Sequence, residues 1–377
     1  MSAQESLQRD RPLCELYCQA DEPHLQQIYT GFSMLARRGE LRMRQHLHPT
    51  PFFDPSKPGH LSDSRASHLL VDCDGVRVAY DVHDAGEIDA ELLERADIYF
   101  KRSWEQKFID ACAHPERILP LGANVWVHDT PADMHALKRA FVNRGGARVK
   151  AAVRALGVDR LLGDRLFTPR LSDIEAAPPI ELAPRVLFLA EAWNPAEAPT
   201  PETAAERIVI NAMRAGCMRL LREQFGAAAT CGFRPTPFAQ REFADLALTD
   251  SSLSRKRNYL ALVRAHPICV ATIGLHRSTG WKFAEYLSMA RAIVSEHVFM
   301  RLPGDIASGK NYLEFDSPES CAGHVERLFS DAALRAKMMR ANHDYYLHYL
   351  RPDALVANSL RAVRTWKSEM QLRAGQE

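Results

Sequence analysis

Short apolar runs alternate with longer amphipathic ones along most of this chain, which is the pattern of strands and helices laid in α/β layers. "LCELYC" (13–18) reads as a first strand, 23–37 as a helix, "ELRMRQHL" as a second strand, and the polar, proline-bearing stretch 49–67 as a loop. "HLLVDCDGVRVAYDVHDA" follows, with Asp74-Gly75 as a hairpin turn signal. "AELLERA" reads as a helix, and "DIYFKRSW" and "RILPLGANVW" as strands. Periodicity fades between 157 and 184, where "SDIEAAPPIELAPR" has the composition of a linker. The alternation then restarts with "RVLFLAEAW" as a strand, 202–224 as a long helix, "AATCGF" as a strand and 254–265 as a helix. "ICVATIG" reads as a buried strand, 280–290 as a helix and "AIVSE" as a strand. From 318 onward the chain is helical apart from a break at Arg351-Pro352. The expected fold class is α/β, with two Rossmann-like domains at 1–180 and 181–350. Residues 351–377 are expected to form a closing helix, which the resemblance set out below implies packs back on the first domain.

The length of 377 residues supports that division, because one hydrophobic core rarely grows so large. A net charge of +1 gives the chain as a whole no pull toward nucleic acid. "MSAQESLQRDRP" has no apolar centre and is not read as a secretory signal, and no apolar run approaches the ~18 residues of a membrane span. Eight scattered cysteines, of which only Cys14 and Cys18 are close, point to reduced thiols in the cytoplasm rather than to a zinc site.

One lysine sits against expectation. Gly280 reads as the last loop residue before a helix, so Lys282 falls in that helix's first turn, where the backbone dipole is already positive. A bound anion reverses that penalty, and helix N-termini after a small-residue turn such as "GLHRSTG" bind phosphate well. Ser278 and Thr279 add hydroxyls, as caps or as phosphate ligands. Glu285 lies one turn on and on the same face, placed for two hydrogen bonds to a ribose diol. An ordinary surface Lys/Glu pair is the competing reading.

"GLHRSTGWKFAEYLSMARAIVSE", "LPGDIASGKNYLEFDSPESCAGHVERLFSD" and "MMRANHDYYLHYLRPDALVANSL" together resemble the C-terminal half of GT-B-fold glycosyltransferases of the group 1 type. The resemblance covers about 185–360; in the N-terminal half it rests on "DIYFKRSW" and the general layout. It implies two domains facing a cleft, with Glu285 holding the donor ribose. Lys282 and the turn of Ser278, Thr279 and Gly280 would meet the diphosphate. The donor would be a nucleotide diphosphate sugar, UDP- or GDP-linked, and no metal or other cofactor would be needed. The acceptor would be a glycan or lipid-linked glycan of a cell-surface polysaccharide. Many relatives carry a second glutamate eight residues before the ribose-binding one; here that position is Arg277, beside His276, and both are candidates for donor contact.

Other candidates follow from position. "YDVHDAG" ends a strand with His83 and Asp84, either of which could serve as general base toward an acceptor hydroxyl; the alternative is a helix cap by Asp84 and a structural His83. Lys101 and Arg102 leave another strand of the same half and could face the departing diphosphate. Arg255 and Lys256 open a helix of the second half with cations. Glu191 and Trp193 lie at the carboxyl end of that half's first strand. "DCD" at 72–74 is read as the hairpin turn and not as a metal motif. The basic, apolar-interleaved segment 134–162 is expected to pack its apolar stripe on the sheet, with peripheral contact at the inner face of a membrane as the rival reading. Function classes still in play are a glycosyltransferase, a nucleotide-sugar epimerase on the same scaffold, and a non-catalytic nucleotide or glycan binder. A nicotinamide dehydrogenase is disfavoured, since no G-x-G-x-x-G follows the first strand of either half.

Overall fold

The chain folds as two α/β units, each with its own sheet. The structure, a computed structural model, describes residues 11–18, 21–47, 67–129, 133–143, 145–161 and 167–374; the N-terminal ten residues and nearly all of the expected loop at 49–67 lie outside them. The first unit comprises 1–171, 300–303 and 348–377, and the second 172–299 and 304–347.

In the first unit the strands are β1 (Leu13–Tyr17), β2 (Arg42–His46), β3 (His68–Cys73), β4 (Val76–Asp81), β5 (Ile98–Lys101) and β6 (Ile118–Pro120), in the order β2-β1-β3-β4-β5-β6. The sheet is mixed rather than all parallel, because β3 runs antiparallel to both β1 and β4. The cause is local: Asp74-Gly75 turns the chain in two residues, both at positive φ, and a parallel pair needs a crossover a dozen residues or longer. The two aspartates of "DCD" are used there, Asp72 Oδ1 accepting from the Gly75 amide at 2.7 Å and Asp74 Oδ1 from the Leu13 amide at 2.9 Å. The run at 118–127 makes only a three-residue strand, because Pro120 lacks a donor and Gly122 turns at φ 112.

Helix α1 (Gln26–Arg37) covers this sheet and lies against the last helix, which starts at Pro352. Gly31 sits at their closest approach, where a β-carbon would collide with the Pro352 carbonyl and the Val356 side chain. Leu355, Val356, Leu360 and Val363 of the last helix bury into the same core as β1, β3 and β4. Further along, the unit carries α2 (Ala90–Arg95), α3 (Met134–Ala140) and α4 (Gly145–Ala155).

The second unit's strands are β7 (Val186–Ala190), β8 (Ala229–Phe233), β9 (Ile268–Ala271), β10 (Ala292–Glu296) and β11 (Leu313–Phe315), all parallel, in the order β11-β10-β9-β7-β8. Every residue of β7 and of β9 is buried, as expected for strands covered on both faces. The longer helices are α5 (Pro201–Phe225), α6 (Lys256–Ala265), α7 (Trp281–Ser288), α8 (Pro318–Ser330) and α9 (Ala332–Tyr345), with α10 (Pro352–Ala374) returning to the first unit. Helix α5 is delimited by its own sequence, with Thr200 capping the Thr203 amide, Pro201 in the first turn and Gly226 ending it at φ 50.

Candidate functional site

The order of the second sheet locates a ligand site before any side chain is considered. The chain leaves β7 for β8 on one side, then crosses to β9 on the other, so the winding direction reverses at β7. Open α/β sheets bind ligands outside the strand carboxyl ends at such a reversal. A cavity of about 280 Å³ lies there. Leu189, Ala190 and Glu191 of the β7 exit form one wall, Arg234 and Leu248 a second, and Ser254, Lys256 and Tyr259 at the start of α6 a third. Trp281, Lys282 and Glu285 of α7 complete it.

Its charges are held in close order. The Glu285 side chain, 1% exposed, forms an ion pair with the Lys256 ammonium. Lys282 donates to the carbonyl of Leu189 at the end of β7. Burial and then repulsion from Arg214 pull the Lys282 ammonium down to about 7, against the attraction of Glu285. The Tyr259 ring lies 5.4 Å from the Lys282 ammonium and 5.8 Å from that of Lys256. Its hydroxyl donates to Tyr286 at 3.2 Å, and burial pushes its pKa well up. Glu191 reaches Arg234 at 3.5 Å, a solvent-facing pair at the rim.

Behind the cavity stands Arg214, which the sequence reading missed. Its guanidinium donates to the Glu191 carbonyl at 2.7 Å, the Ile273 carbonyl at 3.0 Å and the Thr272 hydroxyl at 3.0 Å, tying the exits of β7 and β9 together. It stacks on Trp193, 4.5 Å from the ring centre, and burial brings its pKa down to about 10. A signal was present: Ile210, Arg214, Cys217, Met218 and Leu221 form one buried stripe of α5, and an arginine in an apolar stripe needs a reason.

The turn before α7 departs from expectation. Ser278, Thr279 and Gly280 do not line the cavity; nor do His276, Arg277 or Arg255. The turn instead folds on itself, with the Gly274 amide donating to the Ser278 carbonyl at 2.8 Å and Ile273 bridging to Thr279. His276 and Arg277 both adopt left-handed backbone, at φ 57 and φ 55, a costly conformation for two successive side-chain-bearing residues. The Arg277 guanidinium lies over the Phe299 ring at 4.3 Å. Arg255 is exposed at the N-cap of α6 while its neighbour Lys256 turns inward.

In the first unit, Lys101 is not a surface cation. Its ammonium is fully buried and donates to Asp81 Oδ2 at 2.8 Å, where the Tyr99 hydroxyl also donates at 2.6 Å. Burial alone would raise the Asp81 pKa, but Lys101 and His68 overcome it and hold the carboxyl well below the usual range. Lys101 therefore balances a charge inside the sheet. Arg102 is likewise buried and pairs with Asp84, while its guanidinium also meets the Val82 carbonyl at 3.3 Å. His24 joins this group 3.4 Å from Arg102, with burial and then Arg102 lowering its pKa. His83 is exposed, its Nδ1 accepting from the Ala85 amide at 3.2 Å.

Among the described residues, no helix is long and apolar enough to cross a membrane, and no group of three or more His, Cys, Asp or Glu could hold a metal ion.

No protein-family model and no curated protein matches the chain. Solved structures do match, at low similarity. An α1,3-fucosyltransferase is 10% identical with a TM-score of 0.38, over 91% of this chain and 84% of its own. HepE from Anabaena, in complex with UDP, is 12% identical with a TM-score of 0.33, over 89% of each chain. The C-terminal domain of a group 1 glycosyl transferase from Francisella tularensis is 13% identical with a TM-score of 0.32, over 48% of this chain and 97% of that domain. At these scores the likeness bears no weight, and function has to be argued from the residues.

Proposed function

We propose that this protein is a glycosyltransferase of the GT-B type, moving a sugar from a nucleotide diphosphate sugar to a hydroxyl of a glycan or lipid-linked glycan in cell-surface polysaccharide synthesis. The observation that carries the reading is the grouping of Glu285, Lys256 and Lys282 in a cavity at the winding reversal of a parallel sheet. A buried carboxylate beside two amines matches the alternation of diol and diphosphate in a nucleotide. Glu285 is proposed to accept hydrogen bonds from the ribose hydroxyls. Lys256, its present partner, then turns to phosphate, and an anion beside Lys282 restores that amine's proton.

In the proposed reaction the bond between the sugar's anomeric carbon and the diphosphate oxygen breaks, and the electron pair leaves with the diphosphate. The acceptor oxygen bonds to the same carbon and its proton passes to a base. Lys256, Lys282 and the N-terminus of α7 are proposed to stabilise the leaving charge without a metal, fixed cations in a partly dry site being effective there. For the base, His83 of the first unit is the better candidate, since the Asp84 carboxylate is engaged by Arg102.

Thermal unfolding with UDP, GDP and other nucleotide diphosphates, with and without magnesium, tests the site. At a hundredfold excess over Kd the expected gain is about 2.7 kcal/mol with one base, independent of magnesium and lost in Lys282→Ala. No shift with any diphosphate would sink the reading. Consumption or isomerisation of the donor at full rate with no acceptor present would move it to an epimerase.

A further inference from the structure

Helices α3 and α4 of the first unit carry their apolar side chains inside out. On α3, Ala136 and Ala140 are buried, while Met134 and the following Phe141 are 62% and 61% exposed with Lys138 between them on the same face. On α4, Ala151 and Ala155 turn inward, while Val149 and, in the turn just after the helix, Leu156 are 63% and 52% exposed. Leu161 just beyond is 84% exposed. Leu137 and Val153 are half-buried, but most of the large apolar side chains face water, which departs from the expectation that this segment's apolar stripe lies on the sheet.

The same surface is basic. Among the described residues of 134–161, Lys138, Arg148 and Lys150 are exposed, Arg154 and Arg160 half-buried and Arg139 buried, and the segment's one acid, Asp159, is buried too, in a chain of net charge +1. Arg148 and Lys150 are exposed beside Val149. The Arg148 guanidinium lies 5.8 Å from the exposed Phe141 ring and donates to the carbonyls of Asn143 and Phe141, which fixes a cation next to an aromatic side chain.

From this geometry we infer that the α3–α4 face docks on an anionic lipid bilayer. Interleaved cations and large apolar side chains suit a surface that is negative at the headgroups and apolar beneath them. A second copy fits worse, because a two-fold interface would set this basic face against itself. A face rich in aliphatic side chains also offers little for nucleic-acid bases to stack on.

Co-sedimentation of the full chain with vesicles of equal parts phosphatidylglycerol and phosphatidylcholine, against pure phosphatidylcholine, tests the inference independently of catalysis. Binding to the anionic vesicles is expected to be at least about tenfold tighter and to weaken at high salt. Phe141→Ser with Leu156→Ser, and separately Arg148→Glu with Lys150→Glu, are expected to weaken it about tenfold or more. Ile208→Ser with Val209→Ser, an exposed apolar pair on α5, is expected to leave it unchanged. The wild-type comparison of lipids and salt needs no variant, so a misfolded mutant does not decide the outcome. Equal binding to both vesicles, binding to neither, or retained binding by the charge-reversed variant would overturn the inference. So would a dimer that Phe141→Ser dissolves, which would assign the face to a second copy.

Discussion

Replacing Lys282 by methionine is expected to make the empty protein more stable at neutral and lower pH, although it removes a hydrogen bond. The reasoning starts from the ammonium, which burial pulls from an ordinary 10.5 to about 7. At about 1.4 kcal/mol per tenfold change, that depression corresponds to roughly 5 kcal/mol of penalty when the folded protein carries the charge. Losing the bond to the Leu189 carbonyl gives back about 1–3 kcal/mol, so the expected net gain for Lys282→Met near pH 6 is about 2–4 kcal/mol.

The pH dependence fixes the cause. Below the folded pKa, both folded and unfolded lysine are protonated and the penalty is complete. Between about 7 and 10.5 the unfolded chain binds the proton and the folded one does not, so wild-type stability rises with pH through this window. The variant's advantage shrinks accordingly and is expected to vanish by about pH 10. Urea unfolding of both proteins at pH 6, 8 and 9.5 reads the difference directly, since other titrations cancel. A methionine variant that is less stable at pH 6, or one whose advantage is the same at pH 6 and 9.5, would refute the argument and show the ammonium to be hydrated.

Three further outcomes follow from the same geometry. Binding of the preferred diphosphate at pH 8 is expected to take up a fraction of a proton, because the anion restores the charge on Lys282; calorimetry in buffers of different ionisation enthalpy measures this, and no uptake counts against the contact. Lys256→Met is expected to cost about 3 kcal/mol by leaving Glu285 buried without its partner, and Glu285→Gln in the same chain to recover most of it; a single-variant cost under about 0.5 kcal/mol would mean the pair is effectively solvated. Gly31→Ala is expected to lower stability by several kcal/mol, read by urea unfolding, because no rotamer relieves a clash of a β-carbon with the Pro352 carbonyl; a neutral result would mean that α1 and α10 separate freely.

The second sheet was easy to read because "VLFLA" and "ICVA" are unbroken apolar runs, which strands buried on both faces require. Strand β11 was not read at all: it spans three residues, Leu313–Phe315, with a glutamate in the middle, too short for any period to show. Of the residues lining the cavity, Glu191, Lys256 and Lys282 were legible because each stands at the end of an element, and Glu285 because it lies one turn on from Lys282. Arg234 and Tyr259 were missed because sheet order alone brings the β8 exit and α6 to β7. The turn residues lie outside the cavity lining for the opposite reason, since adjacency in sequence to α7 does not put them beside its inward-facing side chains. The left-handed pair His276 and Arg277 folds that turn back on Gly274.

Lys282 shows why a broken local rule is informative. A charged lysine in the first turn of α7 opposes the helix dipole, and the fold answers by burying the amine until its pKa stands near 7. Burial thus favours the neutral amine, so the repulsion is muted while the cavity is empty and an arriving anion would draw the proton back. The α3–α4 face breaks a different rule, with Met134, Phe141, Val149, Leu156 and Leu161 outward and Ala136, Ala140, Ala151 and Ala155 inward. In both places the sequence accepts a conformation unfavourable for the isolated protein, and in both the chemistry that would relieve it is negative: a diphosphate in the cavity, a lipid surface at the helices. Departures of this kind concentrate at functional sites because selection acts on the complex and not on the free chain.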